Sequence, residues 1–88
     1  MSGITFDPEK DARNVARHGL SLADFSGFDE EATVQVDDRR DYGETRFIAR
    51  GRIGGVPHAV IFTWRGETMR LSSFRRAREK ELRRHGQA

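Results

Sequence analysis

Residues 45–74 constrain the fold more than any other stretch of this chain. They read as three strand-like segments, residues 45–53, 56–64 and 67–74, separated by Gly54-Gly55 and Arg65-Gly66. Two-residue loops containing glycine favour β-hairpins, because the turns that match strand twist need positive φ angles. The middle segment is apolar in both alternation phases, which is typical of a strand covered on both faces. The three segments therefore predict the centre of a small antiparallel sheet.

Three arginines of the first strand, Arg46, Arg50 and Arg52, share one alternation phase, and Arg70 lies similarly in the third strand. Side chains alternate across a strand, so the three arginines are expected on one face of the sheet. Two interpretations are open: a solvated surface, or a face that binds phosphate. Arginine suits bidentate phosphate contacts better than lysine does. Only Lys10 and Lys80 are lysines among the 16 basic residues.

The 88 residues fit a single domain, residues 1–88. The chain contains no cysteine, which excludes disulfides and thiolate metal sites, and its three histidines are too widely spaced for a metal-ligand pattern. We therefore expect neither a cofactor nor a metal. No signal peptide and no membrane-spanning apolar run is recognisable, so a soluble cytoplasmic protein is expected.

Charge is unevenly distributed along the chain. Residues 1–44 contain 5 Lys and Arg against 11 Asp and Glu, whereas residues 45–88 contain 11 against 3. The basic half suggests a surface for nucleic acid or for an acidic protein. The acidic half either faces a basic partner or keeps the fold soluble.

Helices are predicted on both sides of the sheet segment. Asp7-Pro8 resembles a helix start, and the helix should run from Pro8 to about His18 and stop at Gly19. Its inward stripe is expected to be Ala12, Val15 and Ala16; Lys10, Asn14 and His18 share another face, which is either a polar outer stripe or functional. A short second helix is expected over residues 22–27, a strand over residues 33–36, and a charged helix over residues 75–85.

Three motifs together resemble the BrnT family of bacterial type II toxins. They are Phe6-Asp7-Pro8-Glu9-Lys10 with Asn14 and Arg17-His18-Gly19-Leu20-Ser21, then Asp38-Arg39-Arg40-Asp41-Tyr42-Gly43-Glu44-Thr45-Arg46, and Arg70-Leu71-Ser72-Ser73-Phe74-Arg75-Arg76-Ala77. The resemblance covers nearly the whole chain. It implies an α+β domain with a RelE-like fold: two N-terminal helices, about four antiparallel strands and a basic C-terminal helix. His85 lies near where many relatives end with tyrosine.

The resemblance also implies a function. The chain would be a cytoplasmic, metal-independent endoribonuclease that inhibits growth by cleaving RNA. A BrnA-type antitoxin with a ribbon-helix-helix DNA-binding part would neutralise it, and the resulting hetero-oligomer would repress its own operon.

Metal-free RNA cleavage needs a base for the 2′-OH, cations for the charged phosphorane and an acid for the leaving oxygen. Arg46 and Arg70 are candidates for holding the phosphate, helped by Lys10 and Arg75. Candidates for the base are Glu44 and His18, and the candidate acid is His85. Further RNA contacts are expected from the following residues: Tyr42, Arg50, Arg52, Arg75 and Arg76. Trp64 could stack on a base, although its place in an apolar strand favours the core.

Two other classes of function remain open. A basic sheet and helix could bind nucleic acid or an antitoxin without catalysis. The final helix could also bind DNA, but the chain has no helix-turn-helix signal and this helix is charged on all sides.

Overall fold

The computed structural model describes residues 3–39 and 43–86. The strands and helices follow one another along the chain in this order: β1 Ile4–Phe6, α1 Pro8–His18, β2 Thr33–Asp37, β3 Arg46–Ile53, β4 Val56–Arg65, β5 Thr68–Arg76 and α2 Glu79–Arg84. A 3-10 turn, Leu22–Asp24, lies between α1 and β2. The three central strands and the helix at Pro8–His18 are confirmed, with small differences at the strand ends. None of the helices in these residues is long and apolar enough to cross a membrane.

The sheet has five strands in the order β1-β5-β4-β3-β2. β2 to β5 are antiparallel neighbours, and β1 lies parallel to β5. The prediction of about four antiparallel strands was therefore incomplete, because a three-residue segment ahead of α1 adds a parallel edge strand. The second N-terminal helix is also reduced to the 3-10 turn, so the layout expected of a RelE-like domain is matched only in part.

A β-bulge interrupts the pairing of β4 with β5. Ile61 pairs with Ser73, but its neighbour Phe62 pairs with Leu71, so Ser72 is an extra residue in β5. A bulge of this kind reverses which face the following residues occupy relative to a regular strand. Before the bulge Arg70 pairs with Thr63, and after it Arg75 pairs with Ala59. Thr63 and Ala59 share one alternation phase of β4, so Arg70 and Arg75 lie on the same face of the sheet.

The hydrophobic core lies on the other face of the sheet, under the 3-10 turn and the segment that follows it. Its buried members are Leu22, Phe25, Ala49, Val60, Phe62, Leu71 and Phe74. Phe28 packs so closely over Gly51 that a Cβ at that glycine would lie 2.8 Å from Phe28 Cδ1. In β4, the adjacent residues Ala59 and Val60 are both buried, so the middle strand is covered on both faces at this point.

Helix α1 faces inward with its polar side. The expected inward stripe of Ala12, Val15 and Ala16 is wrong, since all three residues are exposed. The buried residue of this helix is Asn14, which is 5% exposed. The reason is that α1 packs against the backbone of β5, which offers hydrogen-bonding groups, and not against an apolar surface.

The C-terminal helix is shorter than expected. Arg75 and Arg76 belong to β5, and α2 begins at Glu79. Its fully buried residue is Leu82. One leucine and the ion pairs of Glu81 thus attach a mostly charged helix to the sheet.

Candidate active site

Two adjoining cavities, of about 280 and about 510 Å³, form a cleft between α1 and the face of the sheet that carries the arginines. Both are lined by Arg17, His18, Arg46, Ser72 and Ser73. The cleft thus combines the last turns of α1, the start of β3 and the bulge of β5.

The cleft is strongly cationic. Besides Arg17 and Arg46, one cavity is lined by Lys10 and Arg13, and the other by Arg39 and Arg75. No carboxylate side chain is among the described residues that line either cavity. Such a surface attracts polyanions, and its arginines can each make bidentate contacts with phosphate.

The pKa of Lys10 is shifted by the charges of other predicted site residues. Burial lowers the pKa of Lys10, and the charges of Arg46 and Arg70 lower it further, whereas Asp7 and Glu44 act in the opposite direction. Lys10 therefore lies within electrostatic reach of Arg46, Arg70 and Glu44, although neither Arg70 nor Glu44 is among the residues that line the two cavities. The repulsion of Lys10 by Arg46 and Arg70 favours an anion among these three cations.

His18 lies at the C-terminal end of α1, in both cavities. Burial lowers the pKa of His18 below the ordinary value of 6.5, and the cations Arg17 and Arg75 lower it further. Both effects favour the neutral imidazole, which is the form that accepts a proton. The other candidate base, Glu44, is exposed and accepts a hydrogen bond from Arg65 Nη2 at 3.4 Å.

Three arginines of the predicted RNA-binding set are held by glutamates of α2. Glu81 accepts hydrogen bonds from Arg75 Nη1 and Nη2, both at 2.9 Å, and from Arg50 Nε at 2.7 Å. Arg50 also donates to Gln35 Oε1 at 2.5 Å. Arg52 and Glu79 form a two-pronged pair with both N···O distances at 2.6 Å. β3 places Arg50 and Arg52 on the expected face, but α2 engages both of them as well as Arg75.

The remaining predicted residues are more scattered. His85 and Arg76 line a third cavity of about 480 Å³ beside α2, which adjoins the cleft through Arg75. Tyr42 lies outside the described residues. Trp64 is 50% exposed, so its expected place in the core is wrong; its ring lies at the edge of the core, 5.6 Å from that of Phe62.

Several residues of the cleft were missed by sequence reasoning. Arg13 and Arg17 lie three and seven positions after Lys10, so a helical count from that lysine would have found them. Arg39 lies at the end of β2, where its guanidinium holds Asp37 with N···O distances of 2.7 and 2.9 Å. Ser72 and Ser73 reach the cleft because of the bulge, and no pattern in the sequence predicts that bulge.

Among residues 3–39 and 43–86, no group of three or more His, Asp and Glu side chains is arranged to hold a metal ion. The charged residues that line the cleft are mainly arginines.

Comparisons with known proteins assign the chain to a family. Residues 6–81 match the family model described as ribonuclease toxin, BrnT, of type II toxin–antitoxin system. The chain belongs to the BrnT family. A crystal structure of the Brucella abortus ribonuclease toxin BrnT superposes with a TM-score of 0.68 at 29% identity, over 90% of this chain and 100% of that one. No curated protein is significantly similar to the chain. The resemblance seen in the three sequence motifs is thereby confirmed, and BrnT membership makes the chain a ribonuclease toxin with an antitoxin partner.

Proposed function

We propose that this BrnT-family chain is a metal-independent endoribonuclease that cuts RNA in the cleft between α1 and the sheet. The observation that carries the proposal is the placement of a histidine with a lowered pKa among Lys10, Arg17 and Arg46, with no carboxylate among the described lining residues. A neutral base beside several fixed cations is what cleavage by a neighbouring 2′-OH requires.

In the proposed reaction, His18 removes the proton of the 2′-OH, and the 2′ oxygen attacks the adjacent phosphorus. The new 2′-O–P bond forms as the P–O5′ bond breaks, giving a 2′,3′-cyclic phosphate and a 5′-hydroxyl. Arg46 and Arg70, assisted by Lys10, stabilise the charge on the phosphorane, and both arginines lie within electrostatic reach of Lys10. Glu44 is the alternative base, and it lies close enough to raise the pKa of Lys10.

The acid and the outer RNA contacts would come from the third cavity, beside α2. His85 is proposed to protonate the leaving 5′ oxygen, and Arg75 lies between the two cavities. Arg50, Arg52 and Arg76 would extend the contact with RNA along α2, and Tyr42 would stack on a base. For Arg50, Arg52 and Arg75 this requires RNA phosphates to compete with Glu79 and Glu81.

The proposal includes the cellular setting. A BrnA-type antitoxin would neutralise the toxin in the cytoplasm, and the hetero-oligomer would repress its own operon through the antitoxin's DNA-binding part. The antitoxin partner follows from the type II family.

The test combines induction in a bacterial host with cleavage by the purified chain in the presence of EDTA. We expect growth arrest, RNA fragmentation and 2′,3′-cyclic phosphate ends. Arg46→Ala/Arg70→Ala should abolish all three while remaining folded by circular dichroism. Arg65→Ala/Arg83→Ala is the matched control, because it removes the same charge from residues that line none of the three cavities. Cleavage that stops in EDTA, or persists in the first double variant, would contradict the proposal. Binding without cleavage would favour a non-catalytic module.

A further inference from the structure

The face of the sheet opposite the cleft carries an uncovered arc of apolar side chains. The strand register places one or two of them from every strand on this face: Ile4, Met69, Trp64, Phe47, Val36 and Val34. Val34, Val36 and Trp64 are 53%, 51% and 50% exposed, and Ile4 is 41% exposed. Single exposed apolar residues are ordinary, but a contiguous set on one face marks an interaction site.

The arc is uncovered because the segment after α1 reaches only part of this face. Leu22 and Phe25 cover the middle of the sheet, and Phe28 lies over Gly51 near the β3–β4 turn. The opposite end of the same face remains open. There the rings of Phe47 and Phe62 stack at 5.5 Å, and Trp64 leans edge-on against Phe62 at 5.6 Å. The arc thus continues from the edge of the packed core on the same face of the sheet.

The segment that borders the arc is acidic. Residues 19–38 contain no Lys, Arg or His, and Asp24, Glu30 and Glu31 are exposed. Val34 follows Glu31 by three positions. Two classes of ligand are disfavoured by this charge: RNA and anionic membranes, both of which would be repelled. Two copies of the chain meeting through this face would also bring acidic borders together. The complementary partner is apolar and basic.

We infer that this arc is where a basic, amphipathic segment of the antitoxin docks, on the side of the sheet away from the RNA cleft. The inference takes from the proposed function only that an antitoxin is the protein partner. It places toxin neutralisation and RNA binding on separate faces, so the two can be impaired independently.

Trp64 provides a direct measurement, since it is the chain's one tryptophan. The full-length antitoxin encoded beside this chain is titrated into it, and the emission of a Trp64→Phe toxin complex is subtracted. We expect the Trp64 emission to shift to shorter wavelength and its acrylamide quenching to fall several-fold. Emission and quenching unchanged at saturating antitoxin would overturn the inference. Shielding of Trp64 that depends on the concentration of the chain alone would also overturn it, by showing a second copy on this face.

Val36→Lys and Val56→Lys form a matched pair of variants. Val56 lies on the same face and is 43% exposed, but it is at the other end of the sheet, beside the β3–β4 turn. Val36→Lys should weaken antitoxin binding at least tenfold, because it adds a positive charge to the contact and removes an apolar one. Val56→Lys should leave binding unchanged. Equal affinity of the two variants would contradict the inference. Lysine is well tolerated on edge strands, so β2 should still fold.

RNA cleavage by the Val36→Lys variant separates this inference from the proposed function. The cleavage rate of this variant should equal that of the unmodified chain, but the antitoxin should inhibit the variant less. If the unmodified chain fails to cleave RNA but its antitoxin shields Trp64, the proposed function fails and the docking site stands.

Discussion

The side chain of Asn14 takes the place of a neighbouring strand for Phe74. Its Nδ2 donates to the carbonyl oxygen of Phe74 at 2.8 Å, and its Oδ1 accepts from the Phe74 N–H at 3.0 Å. β1 pairs with β5 only from Met69 to Leu71, so the edge of β5 at Phe74 is left to α1. Nδ2 also donates to the carbonyl oxygen of Leu20 at 2.8 Å. One amide thus fixes the helix that carries Lys10 and His18.

We predict that Asn14→Leu destabilises the fold by about 1–3 kcal/mol, because it leaves the buried N–H and C=O of Phe74 without partners. Urea unfolding followed by circular dichroism measures the loss. Val15→Ala is the control, since Val15 is an exposed neighbour on the same helix and should change the free energy of unfolding by less than about 0.5 kcal/mol. Comparable losses in the two variants would show that the amide contributes nothing particular.

The pH dependence of cleavage should reflect His18. A histidine that acts as general base must be neutral, so on the acid side of the profile the rate rises with pH through its pKa. Because burial and the cations Arg17 and Arg75 lower the pKa of His18, the rise should lie below pH 6.5. Single-turnover rates between pH 4 and 8 measure the profile.

The His18→Gln variant identifies the base. It should lose cleavage by about 10²–10⁴-fold and lose this limb of the profile. Glu44→Gln should keep both the limb and most of the rate. The reverse pattern would assign the base to Glu44.

Glu81 should make stability depend on pH in the acid range. Its hydrogen bonds from Arg75, and next those from Arg50, lower the pKa of Glu81 from 4.5 to about 2. A lowered pKa in the folded state stabilises the fold fully above pH 4.5, and that contribution is lost as pH falls towards 2. The free energy of unfolding should therefore decline between these values. In Glu81→Gln the decline should be smaller, and an unaltered decline would show that other carboxylates cause it.

Arg70 and Arg52 should differ in their effect on RNA although both are strand arginines on the cleft face. Arg70 lies within electrostatic reach of Lys10, whereas Arg52 is paired with Glu79. Arg70→Ala should lower the single-turnover rate by about 10²–10³-fold, as expected for loss of a cation that stabilises transition-state charge. Arg52→Ala should change it less than tenfold. Similar losses would mean that RNA displaces Glu79 and uses the whole strand.

Much of the fold was predictable because local patterns agree with the final packing. The glycine turn at Gly54-Gly55 and the alternation in β3 specify a hairpin by themselves. Helix α1 begins and ends as expected. Asp7 caps its start by accepting a hydrogen bond from Glu9 N–H at 2.9 Å, and Gly19 ends it in the left-handed conformation. Each of these depends on residues close together in the chain.

The errors have a common physical origin, since each depends on what an element meets in space. Apolar residues usually mark the inward face of a helix, but α1 meets an open strand edge, and Asn14 satisfies it better than Val15 could. The engagement of Arg50 by Glu81 joins residues 31 positions apart and could not be read from either segment. The face of the sheet on which Arg46 and Arg70 lie could be predicted, because both alternate regularly with apolar neighbours.

Ser72 matters because it adds one residue to the spacing between Arg70 and Arg75, and not because of its side chain. Five positions separate Arg70 from Arg75, an odd number that would put them on opposite sides of an unbroken strand. Replacing Ser72 by another small polar residue should therefore matter little. Deleting Ser72 would move either Arg70, or Phe74 and Arg75, to the opposite face of the sheet. Activity would then be lost because the spacing in β5 is one residue too short, although every proposed catalytic side chain is still present.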